Sequence, residues 1–427
     1  MNFAKNMQYL PKSVLIVTGI LLSFFLIQCS DNPRPKQINP VPVKQAEVTG
    51  HIRVLDEIPQ HIQSVDSLTI FPGDSEPLYS VELIPVLSFG KTGKPYLTQV
   101  NYGIVDDKDR VLTVNVGRPN YEQILHVFNA DGSYHAQIGR HGAGPGEYSL
   151  VLGLQAKAGK IFMLDYNNQR VNEYSTEDYS IARTIPLEKW KNSDGKEFGY
   201  IEPRNDGNYL LTFSDNRSKT GRIEIKQVVM DYEGNTVIEP LVFPSSFRID
   251  VGQSNQPAPT MSTISFLGKT ITFLSDEDAL YTVWTRDFLI RKYDAGGVYQ
   301  SAFYYPIGGS PFDLDEYTKT QLFSPNARQI EKAFETIDKD LPETFPVIDR
   351  LMVDDENRIW VAVPAGAQRE YYEWWILNEG GELLAKLVLP KTQRIYDIKN
   401  GYLYSKKTDE ETDTEYVVKY KIEFTER

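Results

Sequence analysis

The sequence predicts an all-β chain folded as a ring of similar four-stranded sheets, a six-bladed β-propeller carrying one short helical insertion. Three observations lead there. Aromatic residues fill 12% of the 427 positions, with 26 Tyr and 20 Phe, while Gly 29 and Pro 25 supply turns. That composition favours pleated strands broken by frequent reversals. A hairpin built on Asp/Asn-x-x-Gly recurs along the chain, and each copy follows a two-strand unit. Four short strands therefore repeat roughly every 40 to 60 residues, the spacing of propeller blades.

The first thirty residues read as an address. Lys5 and Lys12 precede a charge-free stretch from Ser13 to Ser30. Its apolar centre, VLIVTGILLSFFLI from Val14 to Ile27, would cover only about 21 Å as a helix, against a bilayer core of roughly 30 Å. A basic segment followed by a short apolar one is a secretory signal. It ends in Leu26-Ile27-Gln28-Cys29, which resembles the lipobox of bacterial lipoproteins. The resemblance implies that residues 1–28 are removed and that Cys29 becomes a lipidated N-terminus, palmitate being among the acyl chains. An uncleaved anchor helix or a chance buried cysteine are the competing readings. Acyl chains contribute about 0.8 kcal/mol per buried CH₂, enough in combination to hold a soluble body on a membrane. Cys29 is the single cysteine, so no intrachain disulfide forms. Residues 29–50 carry four prolines and read as an extended tether. No second long apolar stretch follows.

Residues 51–427 hold the repeat. The hairpin turns are Asn129–Gly132, Asp231–Gly234, Asp294–Gly297 and Asn378–Gly381. In each, Asp or Asn opens the turn through its side chain and Gly supplies a positive φ. NEYSTEDYSIARTI fills the same slot without a glycine. The preceding two-strand units are clearest in YGIVDDKDRVLTVNV, LGLQAKAGKIFMLDY, YIEPRNDGNYLLTF and DRLMVDDENRIWVAV. Blades are expected near 97–148, 149–190, 196–242, 262–306, 345–390 and 392–427. The last has three strands of its own, so the early segment SVDSLTIFPGDSEPLYSVELIPVL is expected to supply a fourth and seal the ring. Sandwiches in series are the competing architecture.

Between about 312 and 341 the period changes. Ile330, Ala333, Phe334 and Ile337 fall at i, i+3, i+4 and i+7, an apolar helical stripe. Asp313 or Asp315 can cap a first helix, and Ser324 with Pro325 can start a second. Such an insertion is a natural lid or partner-binding element. The stretch GRHGAGPGEY, by contrast, sits where one blade's outer strand must cross to the next blade's inner strand. It calls for φ freedom at Gly142, Gly144 and Gly146, with Pro145 stiffening the crossing.

Gly144-Pro145-Gly146 followed by Asp165, Asn168, Arg170 and Val171 resembles an NHL-type repeat. The leader, the tether, GRHGAGPGEY and FPVIDRLMVDDENRIWVAV together resemble the six-bladed β-propeller lipoproteins of Bacteroidetes. That resemblance implies an outer-membrane lipoprotein of a bacterial cell envelope, facing the periplasm or the surface. It implies no general biochemical role. Within NHL-like blades an Asp165–Arg170 pair implies a structural bridge.

Candidate chemistry is sparse. The Gly-rich loop lacks the Gly-Lys-Ser/Thr ending of a phosphate cradle. No Gly-x-Ser-x-Gly elbow is present. His51, His61, His126, His135 and His141 show no short metal-ligand spacing, so no metal ligand is assigned. Trp374 and Trp375 beside Tyr371 and Tyr372 alternate across a strand, one face packing between blades and the other a candidate for stacking on sugar rings. Arg140, His141, Glu147, Asp165 and Arg170 are the candidate ligand-binding set, expected at the pore face. A net charge of −13 argues against nucleic acid.

The functional expectation is a binding or interaction module for a peptide, a glycan or an envelope protein, without a cofactor and more a binder than an enzyme. The alternative is a metal-assisted hydrolase or lyase, similar to lactonases of the gluconolactonase type, with carboxylates such as Asp106, Asp107, Asp354 and Asp355 at the pore mouth and Ca²⁺ as the ion. Against it, VDDKDR and VDDENR read as repeated turn chemistry, an Asp held by the following Arg110 or Arg358.

Overall fold

The computed structural model describes residues 53–117, 121–190, 197–215, 221–250, 261–320, 327–336 and 340–427. The leader, Cys29, the tether and His51 lie outside the described residues, as do Ser324, Pro325 and Ile337. Among the described residues no helix is long and apolar enough to cross a membrane.

Six antiparallel meanders follow one another. Blade 1 is Val100–Val105, Val111–Gly117, Glu122–Phe128 and Tyr134–Ile138. Blade 2 runs from Val151 to Pro186, blade 5 from Arg350 to Pro390, each with four strands. Blade 6 takes Ile395–Lys399, Tyr402–Asp409 and Thr414–Glu426 from the C-terminal end and Tyr79–Phe89 from the early segment. The closing pair is antiparallel from Val417↔Phe89 to Glu426↔Tyr79. An early segment and the C-terminal strands thus share one sheet, and Tyr79–Phe89 covers the edge that Thr414–Glu426 would expose.

Two blades are larger than the repeat predicts. Blade 3 spans Glu197 to Ile264 with five strands, its fourth running from Thr236 to Asp250 and its fifth being Met261–Ile264. The stretch STISFL was expected to open the fourth blade. Instead Gly268, at φ +97 and packed where a Cβ would lie 2.7 Å from the Trp284 ring, breaks the run, and blade 4 begins at Thr270. Blade 4 gains a fifth strand as well, Leu68–Ile70, paired parallel to Tyr299–Tyr304.

Each pair of neighbouring blades shares an apolar layer, because successive side chains of a strand point to opposite faces. In Tyr371–Leu377 the alternation is explicit: Tyr372, Trp374 and Ile376 pack toward blade 6, and Trp375 and Leu377 toward blade 4. Both tryptophans are buried, so neither offers a ring to a sugar. With the strands of each blade lettered a to d in chain order, the c–d turns take the expected form, with Gly381 at φ +90 and its N–H on Asn378 O at 2.9 Å. The glycine-free copy closes a turn one residue longer, with Tyr179 at φ +58 and its N–H on Ser175 O at 3.1 Å.

The insertion forms two helices, α2 (Leu314–Thr320) and α3 (Ala327–Thr336), after a short α1 (Gln60–Gln63) near the start. Asp313 caps α2 through Oδ1, which accepts the Glu316 N–H at 2.9 Å. Ile330, Ala333 and Phe334 are buried against Ile249, Ile264 and Phe266, so α3 lies on the outer strands of blade 3.

Candidate functional site

The candidate set Arg140, His141, Glu147, Asp165 and Arg170 gathers around the crossing from blade 1 to blade 2. Arg140 Nε donates to Glu147 Oε1 at 2.6 Å, and the Gly144 N–H donates to Glu147 Oε2 at 2.7 Å. These two bonds hold the Glu147 carboxyl below the usual range, the Gly144 N–H contributing most. Asp165 is fully buried. Its Oδ1 accepts the Ser149 N–H at 3.0 Å, and its Oδ2 accepts Asn168 Nδ2 at 2.6 Å and Arg170 Nε at 3.3 Å. Arg170 spends its remaining donors on Ala143 O, Gly144 O and Glu147 O. His141 is exposed. None of the five lines the central channel. Gly146 has φ +72 as the crossing requires, whereas Gly144 has no positive φ and serves through its N–H and through close approach to Glu147.

The acidic turns behave similarly. Asp106 Oδ2 accepts Arg110 Nε at 2.8 Å, and Asp354 Oδ2 accepts Arg358 Nε at 2.7 Å and Trp360 Nε1 at 2.8 Å. Among the described residues, no three His, Cys, Asp or Glu side chains form a group able to hold a metal ion. His126 is buried and His135 exposed, on opposite sides of their hairpin.

Two cavities formed by described residues are several hundred Å³ in volume. The first is the channel, about 340 Å³, walled by the first strand of every blade and opening among the a–b turns. Glu202 from blade 3 and Asp397 from blade 6 face into it. Burial pushes Glu202 up to about 7, with Lys157 opposing. Burial pushes Asp397 up to about 6, against the Val105 N–H that Asp397 Oδ2 accepts at 2.8 Å. Lys157 reaches from blade 2 to blade 4, donating to Asp278 Oδ1 at 2.6 Å.

The second cavity, about 460 Å³, belongs to the other face, where blade crossings and b–c turns lie. Its walls come from the crossings into blades 4, 5 and 6, from the turn at Gln368–Glu370 and from Glu316 and Tyr317 of α2. Arg369 closes that turn in the left-handed region, at φ +56, with its N–H on Gly366 O at 3.1 Å. The Lys391 N–H donates to Glu370 O at 2.9 Å, which fixes Lys391 beside it. The Arg369 guanidinium stacks on Phe345, 3.8 Å from the ring centroid, and Lys391 Nζ stands 5.0 Å from that of Tyr372. Burial, reinforced by Arg369, draws the Lys391 ammonium down to about 8. Burial opposes ionisation of Asp349, but the Tyr372 hydroxyl and Lys269 outweigh it and hold its carboxyl low. Tyr372 itself is pushed up to about 12 by burial and by Asp349. Arg369 Nε is buried without an acceptor, an arrangement that costs about 1–3 kcal/mol in a closed core.

Residues 91–263 match a family model, DUF5128, described as a 6-bladed beta-propeller. The chain is a six-bladed β-propeller. The propeller is similar to the structure of a DUF4221 family member from Bacteroides vulgatus, at 11% identity over 82% of this chain and all of that one, with a TM-score of 0.50. An exported protein of Bacteroides fragilis superposes at 15% identity over 84% of this chain and all of that one, TM-score 0.48. The calcium-binding protein regucalcin of Agrobacterium tumefaciens gives 12% identity, 84% and 97% coverage and a TM-score of 0.38. The Bacteroides vulgatus likeness bears on the fold alone. No curated protein matches the chain in sequence.

Reading the sequence pointed to the pore mouth, where Asp355 lines the channel, but not to the cavity beneath α2. Arg369, Lys391, Asp349 and Lys269 stand on four separate connections, none with a recurring motif. The available signals were Gly366-Ala367-Gln368-Arg369, a tight turn ending in a cation, and the insertion that places α2 over it.

Proposed function

We propose that this chain is a membrane-tethered binding protein of a bacterial envelope, held by lipidated Cys29, whose propeller takes its ligand in the cavity beneath α2. One observation carries the binding half. The blades need only short crossings to close the ring, yet the crossing into blade 5 grows two helices, and α2 contributes Glu316 and Tyr317 to the wall of the larger cavity. An element unnecessary to the ring and built into a pocket wall supports a ligand site. The leader and the Leu-Ile-Gln-Cys ending support the address.

Two variants test the two halves. Cys29→Ser should move the protein from the membrane fraction to the soluble fraction of its native host. Gln368→Trp places a bulky ring in the pocket from an exposed turn position. A screen of envelope peptides, sugars and organic acids by thermal shift should find ligands that stabilise the natural protein and not this variant. Ligands that stabilise both equally would move the site elsewhere.

A further inference from the structure

We propose that the cavity beneath α2 selects a small organic anion, seating its carboxylate or phosphate between Arg369 and Lys391. The inference rests on the reading of that cavity as the ligand site. Its central observation is a pair of cations that no carboxylate of the described residues contacts directly. Among the described residues, the side chains of Arg369 and Lys391 have no hydrogen-bond or ion-pair partner, and each only faces an aromatic ring. Three other part-buried or buried cations are committed: Lys157 to Asp278, Arg110 to Asp106, Arg358 to Asp354.

Arg369 is prepared for an oxyanion. Stacking on Phe345 occupies one face of the guanidinium and leaves its N–H edge free, the edge that matches a carboxylate or phosphate. Its Nε–H is buried with no acceptor. The turn bond to Gly366 O and the bond from Lys391 N–H to Glu370 O hold both cations to one short stretch of backbone.

The carboxylates nearby do not neutralise the pair. Asp349 is engaged by the Tyr372 hydroxyl and lies 3.8 Å from Lys269. Glu370 Oε2 accepts the Gln368 N–H at 3.0 Å. Asp349 and Glu316 on α2 both act electrostatically on the two cations without an ion-pair contact, and they weaken an anion without excluding it. With a net charge of −13, the molecule as a whole repels anions, so attraction here is a property of the pocket. The volume, about 460 Å³, suits a ligand of one or two sugar rings rather than a polyanion.

The test uses the full chain, purified in detergent, titrated by calorimetry and thermal shift. The probes are sodium phosphate and sodium D-glucuronate, with D-glucose as neutral control and sodium chloride at matched ionic strength. A saturable response to phosphate, to glucuronate or to both is expected, and their ratio tells a tetrahedral from a planar oxyanion. Lys391→Met and Arg369→Met should each weaken binding at least tenfold, and Glu316→Gln should tighten it several-fold. Two results overturn the proposal: no response beyond chloride, or wild-type affinity in both methionine variants. If glucose or another neutral compound binds and Gln368→Trp abolishes that binding, the cavity remains the ligand site and only its anion preference falls. If Gln368→Trp alters nothing for any ligand found, both readings fall.

Discussion

At the scale of single residues, Lys391 shows that a binding site opposes stability. Its ammonium is drawn down to about 8 by burial first, then by Arg369 and Arg350, with Asp349 and Glu316 opposing. A lysine whose folded value lies below its unfolded one destabilises the native state while protonated in both states. The penalty lifts as pH rises from about 8 towards 10.5, where the unfolded chain still binds the proton. Lys391→Met should therefore stabilise the ligand-free protein at pH 7 by about 1–2 kcal/mol, after allowance for the solvent that reaches this half-buried group. The gain should shrink at pH 9.5. Paired melting curves of variant and wild type at the two pH values check this. A loss of stability at pH 7 would mean that Lys391 serves the fold instead. Glu147 illustrates the opposite case, a carboxylate stabilised by fixed donors, the Gly144 N–H before Arg140.

At the scale of elements, the crossing between blades 1 and 2 shows what its glycines and charges accomplish together. Gly139 lies where a Cβ would stand 2.4 Å from Gly146 O, so the loop folds back on itself more closely than any other residue permits. Arg170 then draws the carbonyls of Ala143, Gly144 and Glu147 onto one guanidinium, with buried Asp165 behind it. Arg170→Met should cost about 2–4 kcal/mol, since it frees three carbonyls and leaves the Asp165 charge with neutral donors only. Hydrogen exchange should quicken at the Gly142 and Tyr148 amides, whose bonds to Tyr148 O and Arg140 O close the loop. Unchanged exchange there would show that the loop stands without Arg170. This crossing was legible in the sequence because its residues are close along the chain and their types declare their geometry: Gly at a positive φ, Asp before an Arg five positions on. The blade hairpins were legible for the same reason. The fifth strands of blades 3 and 4 were not, because Met261–Ile264 and Leu68–Ile70 are runs of three or four residues, too short to show a period, whose partners are set by the folded sheet. The cavity beneath α2 was invisible for a related reason. Arg369 and Lys391 are adjacent only because Tyr371–Leu377 and Leu383–Pro390 pair in register, Tyr371↔Pro390 at the end nearest the cavity.

At the scale of the whole molecule, the ring makes opposite blades into neighbours across the channel. Sealing blade 6 with Tyr79–Phe89 fixes the circumference, and every first strand is then forced to present its inner side chains to one narrow space. Glu202 and Asp397 come from blades 3 and 6, half a turn apart, and burial raises both. The consequence for stability is the reverse of the usual carboxylate behaviour. A group whose folded value exceeds its unfolded one contributes stability that is fully present below the unfolded value and is lost as pH climbs through the folded value. For Glu202 that window runs from 4.5 to about 7, and for Asp397 from 3.8 to about 6. Native stability should thus decline between pH 5 and pH 8 on account of the channel, even as the paired Asp106, Asp165 and Asp354 stay engaged by their arginines. Glu202→Gln keeps an acceptor in the channel and removes the charge. It should stabilise the ring at pH 8 by about 1–2 kcal/mol, discounted for channel water, and make little difference at pH 5. Melting temperatures of the two proteins across that range decide the matter. Parallel curves would show that Glu202 titrates as an ordinary surface carboxylate. Curves that converge toward acid would show the ring holding a proton in its channel at neutral pH.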